Sequence, residues 1–181
     1  MPLRVVLDSD GLIKPAKAGA LDRVVKAWSC LVPEAVYAEA VEAGLEVAYP
    51  DALAIQQALP AGAVRPRMRH ARASALLERT QGLGRGEQEA LHLYFAERAD
   101  AIVTDDAAFV RVLARAGLRY LPPAPLLVRL AREGHLDPLE ALNSLERMRQ
   151  LIGAEVYRAA REDLTAIPRG RARRPERGAS E

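Results

Sequence analysis

Five acidic residues stand where an apolar run gives way to a turn or a helix. They are Asp8 in VVLDSDG, Glu39 in VPEAVYAEAV, Glu87 in GRGEQEAL, and Asp105 and Asp106 in AIVTDDAAF. A carboxylate among core residues is seldom fully buried unless it is paired or binds a metal. Several of them, from distant parts of one chain and at the same kind of position, predict a shared acidic pocket that binds divalent metal. Without a cation such groups repel one another, and some stay protonated at neutral pH. Mg²⁺ takes one or two carboxylates with waters and phosphate oxygens. Two such ions about 3.5–4 Å apart can activate water and stabilise the leaving oxygen of a phosphodiester. No nucleophilic side chain is then required. Ser9 and Thr104, each beside a key aspartate, could hold a water or a phosphate oxygen, or cap the turn or helix that follows.

Helical spacing decides which carboxylates face inward. Pro33, Val36 and Glu39 fall at three-residue steps, so Glu39 belongs to a face that packs on the core. Glu87 leads Ala90, Leu91 and Tyr94 on one face, whereas Glu89 leads the more mixed His92, Leu93 and Ala96. Glu87 is expected to point inward, and Glu89 to be a first-turn residue favoured by the helix dipole.

The elements that must carry these groups are legible as punctuated apolar runs. LRVVL (3–7) reads as a buried strand, followed by SDG as a turn. Further short strands are predicted at 29–33, 63–66, in ADAIV and at 118–123. Helices are predicted over 19–28, from Pro33, over 51–59, 70–81 and 87–98, from AAFVRVLARAG, and over 124–133, 138–151 and 154–165. Strands of four or five residues alternating with helices imply a three-layer α/β/α fold around a parallel sheet. Ligands of such folds bind outside the carboxyl ends of the strands, where all five acids fall.

The chain has 181 residues, enough for one domain with a proper core, and half of them are apolar. No apolar run approaches the roughly 20 residues of a membrane-spanning helix. No signal peptide is read at the N-terminus, which favours the cytoplasm. A single cysteine, Cys30, excludes an internal disulfide framework. The net charge of +2 is uneven: residues 169–181 carry +3 and the remainder −1. Arg65, Arg67, Arg69, Arg72, Arg79 and Arg85 face only Glu78 in their stretch. That bias suits a polyanion, with Arg65, Arg67, Arg69 and Arg85 as candidate phosphate contacts, or a solvated arginine-rich surface. The three histidines, at 70, 92 and 135, show no metal-ligand spacing.

The ordered set VVLDSDGLI, VPEAVYAEAV, GRGEQEAL and AIVTDDAAF resembles the PIN domain, the fold of VapC-type toxin ribonucleases and related nucleases. PDALAIQQALPAGAV also resembles a stretch found in a subgroup of uncharacterised prokaryotic PIN-like proteins. The resemblance implies a Mg²⁺- or Mn²⁺-dependent ribonuclease acting on single-stranded RNA. It implies catalytic positions at Asp8, Glu39, Glu87 and Asp106, and metal ligands among Asp8, Glu87, Asp105 and Asp106. The family pattern T-x-D-x-x-F falls on Thr104, Asp106 and Phe109, favouring Asp106 over Asp105. The resemblance covers residues 3 to about 135, so a nuclease domain is expected over 1–135; beyond it the chain departs from the family, with a helical extension expected at 136–167 and a basic tail at 168–181 whose lack of apolar residues predicts disorder. A homodimer and a possible antitoxin partner are expected on the same ground. The third acid is often aspartate in the toxin group, and this chain is longer than a minimal toxin. Two other readings compete: a haloacid dehalogenase-type phosphatase with Asp8 as nucleophile and Asp10 as acid/base, and a non-catalytic RNA- or protein-binding module of the same fold.

Overall fold

A computed structural model describes residues 2–168. The basic tail from Arg169 onward lies outside the described residues. Five short parallel strands form one sheet: β1 (Arg4–Leu7), β2 (Ser29–Pro33), β3 (Val64–Arg65), β4 (Ala101–Val103) and β5 (Tyr120–Leu121). Their spatial order is β3-β2-β1-β4-β5, so the chain winds outward one way from β1 and then crosses to its other side. The reversal falls between β1 and β4, the place where open parallel sheets leave a crevice. The register pairs Leu7 with Val103, so Asp8 emerges level with Thr104, and the Asp8 N–H donates to the Val103 carbonyl at 3.3 Å.

Strand residues alternate between two cores, as the pleat dictates. Val5, Leu7, Cys30, Val32, Ala101 and Val103 point to one face; Val6, Leu31 and Ile102 point to the other. The first face is covered by α1 (Ser9–Lys17), α2 (Leu21–Ala27), α5 (Pro50–Ala58), α9 (Pro123–Arg132), α10 (Pro138–Met148) and α11 (Ala154–Ala166). The second is covered by α6 (Ala71–Leu77), α7 (Arg85–Ala96) and α8 (Ala107–Arg115). This is the three-layer α/β/α arrangement. Ala141, Leu145, Met148, Ala160 and Leu164 belong to the same buried cluster as the sheet, so the last two helices share its core. Among the described residues no helix is long and apolar enough to cross a membrane.

Two elements differ from the sequence expectation. SDG is the first turn of α1, which begins directly after β1 although Gly11 and Pro15 resemble helix breakers. The helix from Pro33 is interrupted: α3 (Glu34–Tyr37) passes through a π-helical stretch, Ala38–Glu42, into α4 (Ala43–Glu46). Single-turn π stretches inside helices recur at functional sites, and this one contains Glu39.

Candidate active site

Asp8 is the hub of the site. It follows β1 directly, caps the N-terminus of α1, and accepts the Gly11 N–H at 2.7 Å. It is 5% exposed, which is rare for a carboxylate. Burial pushes its pKa up to about 7, against hydrogen bonds from the Thr104 hydroxyl and the Gly11 N–H, and the charges of Asp10 and Asp105 add to the rise. Gly11 makes the geometry possible. A Cβ there would collide with the Val103 carbonyl oxygen and come within 3.1 Å of the Val103 side chain.

The other carboxylates arrive on separate elements at the same sheet edge. Asp106 caps α8, and its Oδ1 accepts the Phe109 N–H at 2.7 Å. Glu39 projects from the π stretch and Glu87 from the first turn of α7. A cleft of about 190 Å³ is lined by Asp8, Ser9, Asp10, Val36, Glu39, Gly86, Glu87 and Asp106. A second hollow of about 450 Å³ shares Glu39, Gly86 and Glu87 with it and adds Glu34 and Arg85. The cleft therefore opens sideways over the start of α7.

Several expected residues sit elsewhere than their spacing implied. Glu89, expected as a first-turn residue favoured by the helix dipole while Glu87 pointed inward, is 4% exposed. Its two oxygens accept the Ala35 N–H at 2.9 Å and the Arg85 Nε–H at 3.0 Å. It thus ties the first turn of α3 to α7 and holds the two walls of the cleft together. Glu89→Ala leaves the Ala35 N–H without this partner and is expected to cost about 1–3 kcal/mol. A denaturant titration checks this, with Glu89→Gln losing less.

Asp105, a candidate metal ligand, is absent from the cleft lining. Its Oδ1 lies 2.5 Å from Lys14 Nζ, which also stands 3.3 Å from Asp10 Oδ2. Burial and the neighbouring Asp10 raise the Asp105 pKa against the pull of Lys14. Burial lowers the Lys14 pKa, but the two carboxylates outweigh it and hold the ammonium charged. Nothing local in the sequence marks Lys14 as a site residue, because its main partner is 91 residues away.

Thr104, expected to touch water or substrate, is fully buried. Its Oγ1 accepts the Asp106 N–H at 3.2 Å while its hydroxyl favours the charged form of Asp8. It is a positioning residue that links the two aspartates. Thr104→Val is expected to raise the Asp8 pKa further, seen as a shift of any activity–pH profile to higher pH. Ser9 remains at the cleft.

Arg65 points away from the site. Its Nε lies 3.8 Å from Glu97, at the end of α7, beside Arg4 at the opposite sheet edge. Arg67 and Arg69 are exposed near His92, whose pKa is lowered first by burial and then by these two charges. Of the four arginines singled out, Arg85 alone lines the hollow beside the cleft.

A parallel sheet between two helical layers, with carboxylates gathered at its switch point, puts the cleft where ligands of open α/β folds bind. A family model described as DUF3368, PIN domain, matches residues 4–165, and the chain belongs to this family. No curated protein and no solved structure matches it. PIN domains are a nuclease family and generally use divalent metal. The family match also sets aside the phosphatase reading.

The donor set suits such an ion. The cleft offers only hard oxygen ligands, and burial, with Asp10 and Asp105 adding to it, raises the pKa of Asp8, a cost that a bound cation would offset. Among the described residues no three His, Cys, Asp or Glu side chains close around a common point. An open cleft of this kind fits Mg²⁺ or Mn²⁺, which keep waters and substrate oxygens as the remaining ligands.

Proposed function

We propose that the protein is a metal-dependent ribonuclease that hydrolyses phosphodiester bonds of single-stranded RNA, with Mg²⁺ or Mn²⁺ held by one or two of the carboxylates of Asp8, Glu87 and Asp106 together with waters and substrate oxygens. The observation that carries the reading is five carboxylates, Asp8, Asp10, Glu39, Glu87 and Asp106, brought from four separate segments to line one cleft. A divalent ion there would acidify a water and offset the charge that develops on the phosphate. The chain's own contribution is placement. Gly11 and Thr104 fix the Asp8 carboxylate, and Phe109 holds one oxygen of Asp106. Glu39 faces the same space and can accept a proton from an attacking water. Glu89 and Arg85 brace the wall from which Glu87 projects.

The reading extends to a cytoplasmic homodimer. A toxin role would add an adjacent reading frame encoding an antitoxin that silences cleavage. Substrate class is tested by offering single-stranded RNA, single-stranded DNA and duplex RNA with Mn²⁺. Single-stranded RNA should be cut fastest. Equal cleavage of DNA would remove the RNA assignment, and hydrolysis of p-nitrophenyl phosphate in place of all three would return the site to phosphatase chemistry.

A further inference from the structure

A cavity of about 460 Å³ separates the end of α6 from α8, on the same side of the sheet as α7. Arg79, Thr80 and Gln81 line one wall; Ala108, Arg111 and Arg115 line the other. All three arginines are exposed. Many arginines elsewhere in the chain have a carboxylate within salt-bridge distance: Arg4, Arg23, Arg119, Arg129, Arg132 and Arg149 are examples. Among the described residues, Arg79, Arg111 and Arg115 have none, and no carboxylate lines their groove. Three guanidiniums brought together without an acidic partner repel one another and favour an anion among them.

The helix geometry makes the groove a track. Arg111 and Arg115 are one turn apart on the same face of α8, about 6 Å along the axis. The opposite face buries Phe109 and Leu113. Leu76, Ala108, Val112 and Ala116 complete its lining. The groove is tied to the cleft through short stretches of chain. Ala108 is two residues beyond Asp106, and Gln81 is three residues before Gly84, which lines the hollow next to the cleft. An acidic cleft repels a phosphate backbone, so a strand that reaches it must be held by cations outside it. No aromatic side chain lines the groove, so it offers backbone contacts rather than a stacking platform.

We propose that this groove carries the backbone of the single-stranded RNA flanking the scissile bond, with Arg79, Arg111 and Arg115 on its phosphates; the assignment rests on the ribonuclease reading above. It is independent of base sequence, because phosphate contacts carry none.

The test uses full-length Asp8→Asn protein, which blocks turnover, and a fluorescein-labelled oligouridylate of about 20 nucleotides, followed by anisotropy across a salt series. Arg79→Gln/Arg111→Gln/Arg115→Gln should bind about 10- to 100-fold more weakly near 0.1 M salt. Its log–log salt slope should fall by about 2, at about 0.7 for each phosphate no longer neutralised. The matching triple Lys substitution keeps the charges and should keep the slope. The melting temperatures of both variants should match the parent, since the side chains are exposed. Unchanged affinity and slope in the Gln variant would overturn the groove while leaving the nuclease reading intact. A Lys variant as flat in salt as the Gln variant would overturn the phosphate assignment. Failure of the Asp8→Asn parent to bind RNA at all would overturn both.

Discussion

Asp8→Asn is expected to raise the melting temperature of the metal-free protein at pH 8. The Asp8 carboxyl has a folded pKa of about 7 against an ordinary value of 3.8. Between those values the folded state binds more protons than the unfolded chain, so stability falls as pH rises. The loss begins near pH 4 and is complete above pH 7. Its full size is on the order of 4 kcal/mol, at about 1.4 kcal/mol per pKa unit. Asparagine keeps the oxygen that accepts the Gly11 N–H and never ionises, so it escapes this cost. For a chain of this size the gain amounts to about 5–10 °C, allowing for partial relaxation of the charged form. The difference should shrink at pH 5 and vanish near pH 4. Millimolar Mn²⁺ should narrow it at pH 8, because a cation that binds only the folded wild type stabilises only that protein. Scanning calorimetry of both proteins at three pH values, with and without Mn²⁺, measures all of these effects. A variant less stable than wild type at pH 8 without metal would show that Asp8 is not under charge stress.

Gly11→Ala is expected to cripple the site from beneath. The added methyl meets the Val103 carbonyl, which is a fixed part of β4 and cannot turn aside. Overpacking of this kind costs about 1–3 kcal/mol. Relief requires the start of α1 to lift from the sheet. Asp8 moves with it, because its carboxylate is bonded to the Gly11 N–H at 2.7 Å. A misplacement of about 1 Å in a catalytic group can lower the rate about 10²-fold. Gly153→Ala is the control: Gly153 has nothing within 4 Å of the position its Cβ would take. Denaturant titration and cleavage under folding conditions compare the two. Gly11→Ala behaving like Gly153→Ala would show that the close approach of α1 to β4 does not position Asp8.

The sheet, its parallel sense and most of the helical segments are legible in the sequence because short apolar runs alternate with amphipathic ones. Asp8 is legible because a buried strand runs directly into it. Glu39 is placed by its spacing from Pro33 and Val36, but the π stretch that carries it leaves no mark in AEAVE. What escapes depends on contacts distant in sequence. Glu89 is buried because it bonds Ala35, 54 residues away. Lys14 neutralises Asp105 across 91 residues. Thr104 resembles a substrate contact because it neighbours the aspartates, and the register of β4 against β1 instead buries it between them. Arg65 resembles part of a basic path, but its side chain folds back along the sheet toward Glu97. The basic groove combines Arg79 with two arginines of α8, a pairing no local window contains.

The most direct test is cleavage of an end-labelled single-stranded RNA by wild type and Asp8→Asn, each with Mn²⁺, Mg²⁺ or EDTA. Wild type should cleave with either cation and not in EDTA. The variant should be slower by at least about 100-fold, beyond the 10–100-fold typical of outer-shell changes at metal sites. Cleavage that survives EDTA, or that proceeds equally in Asp8→Asn, would contradict a metal-dependent ribonuclease centred on Asp8.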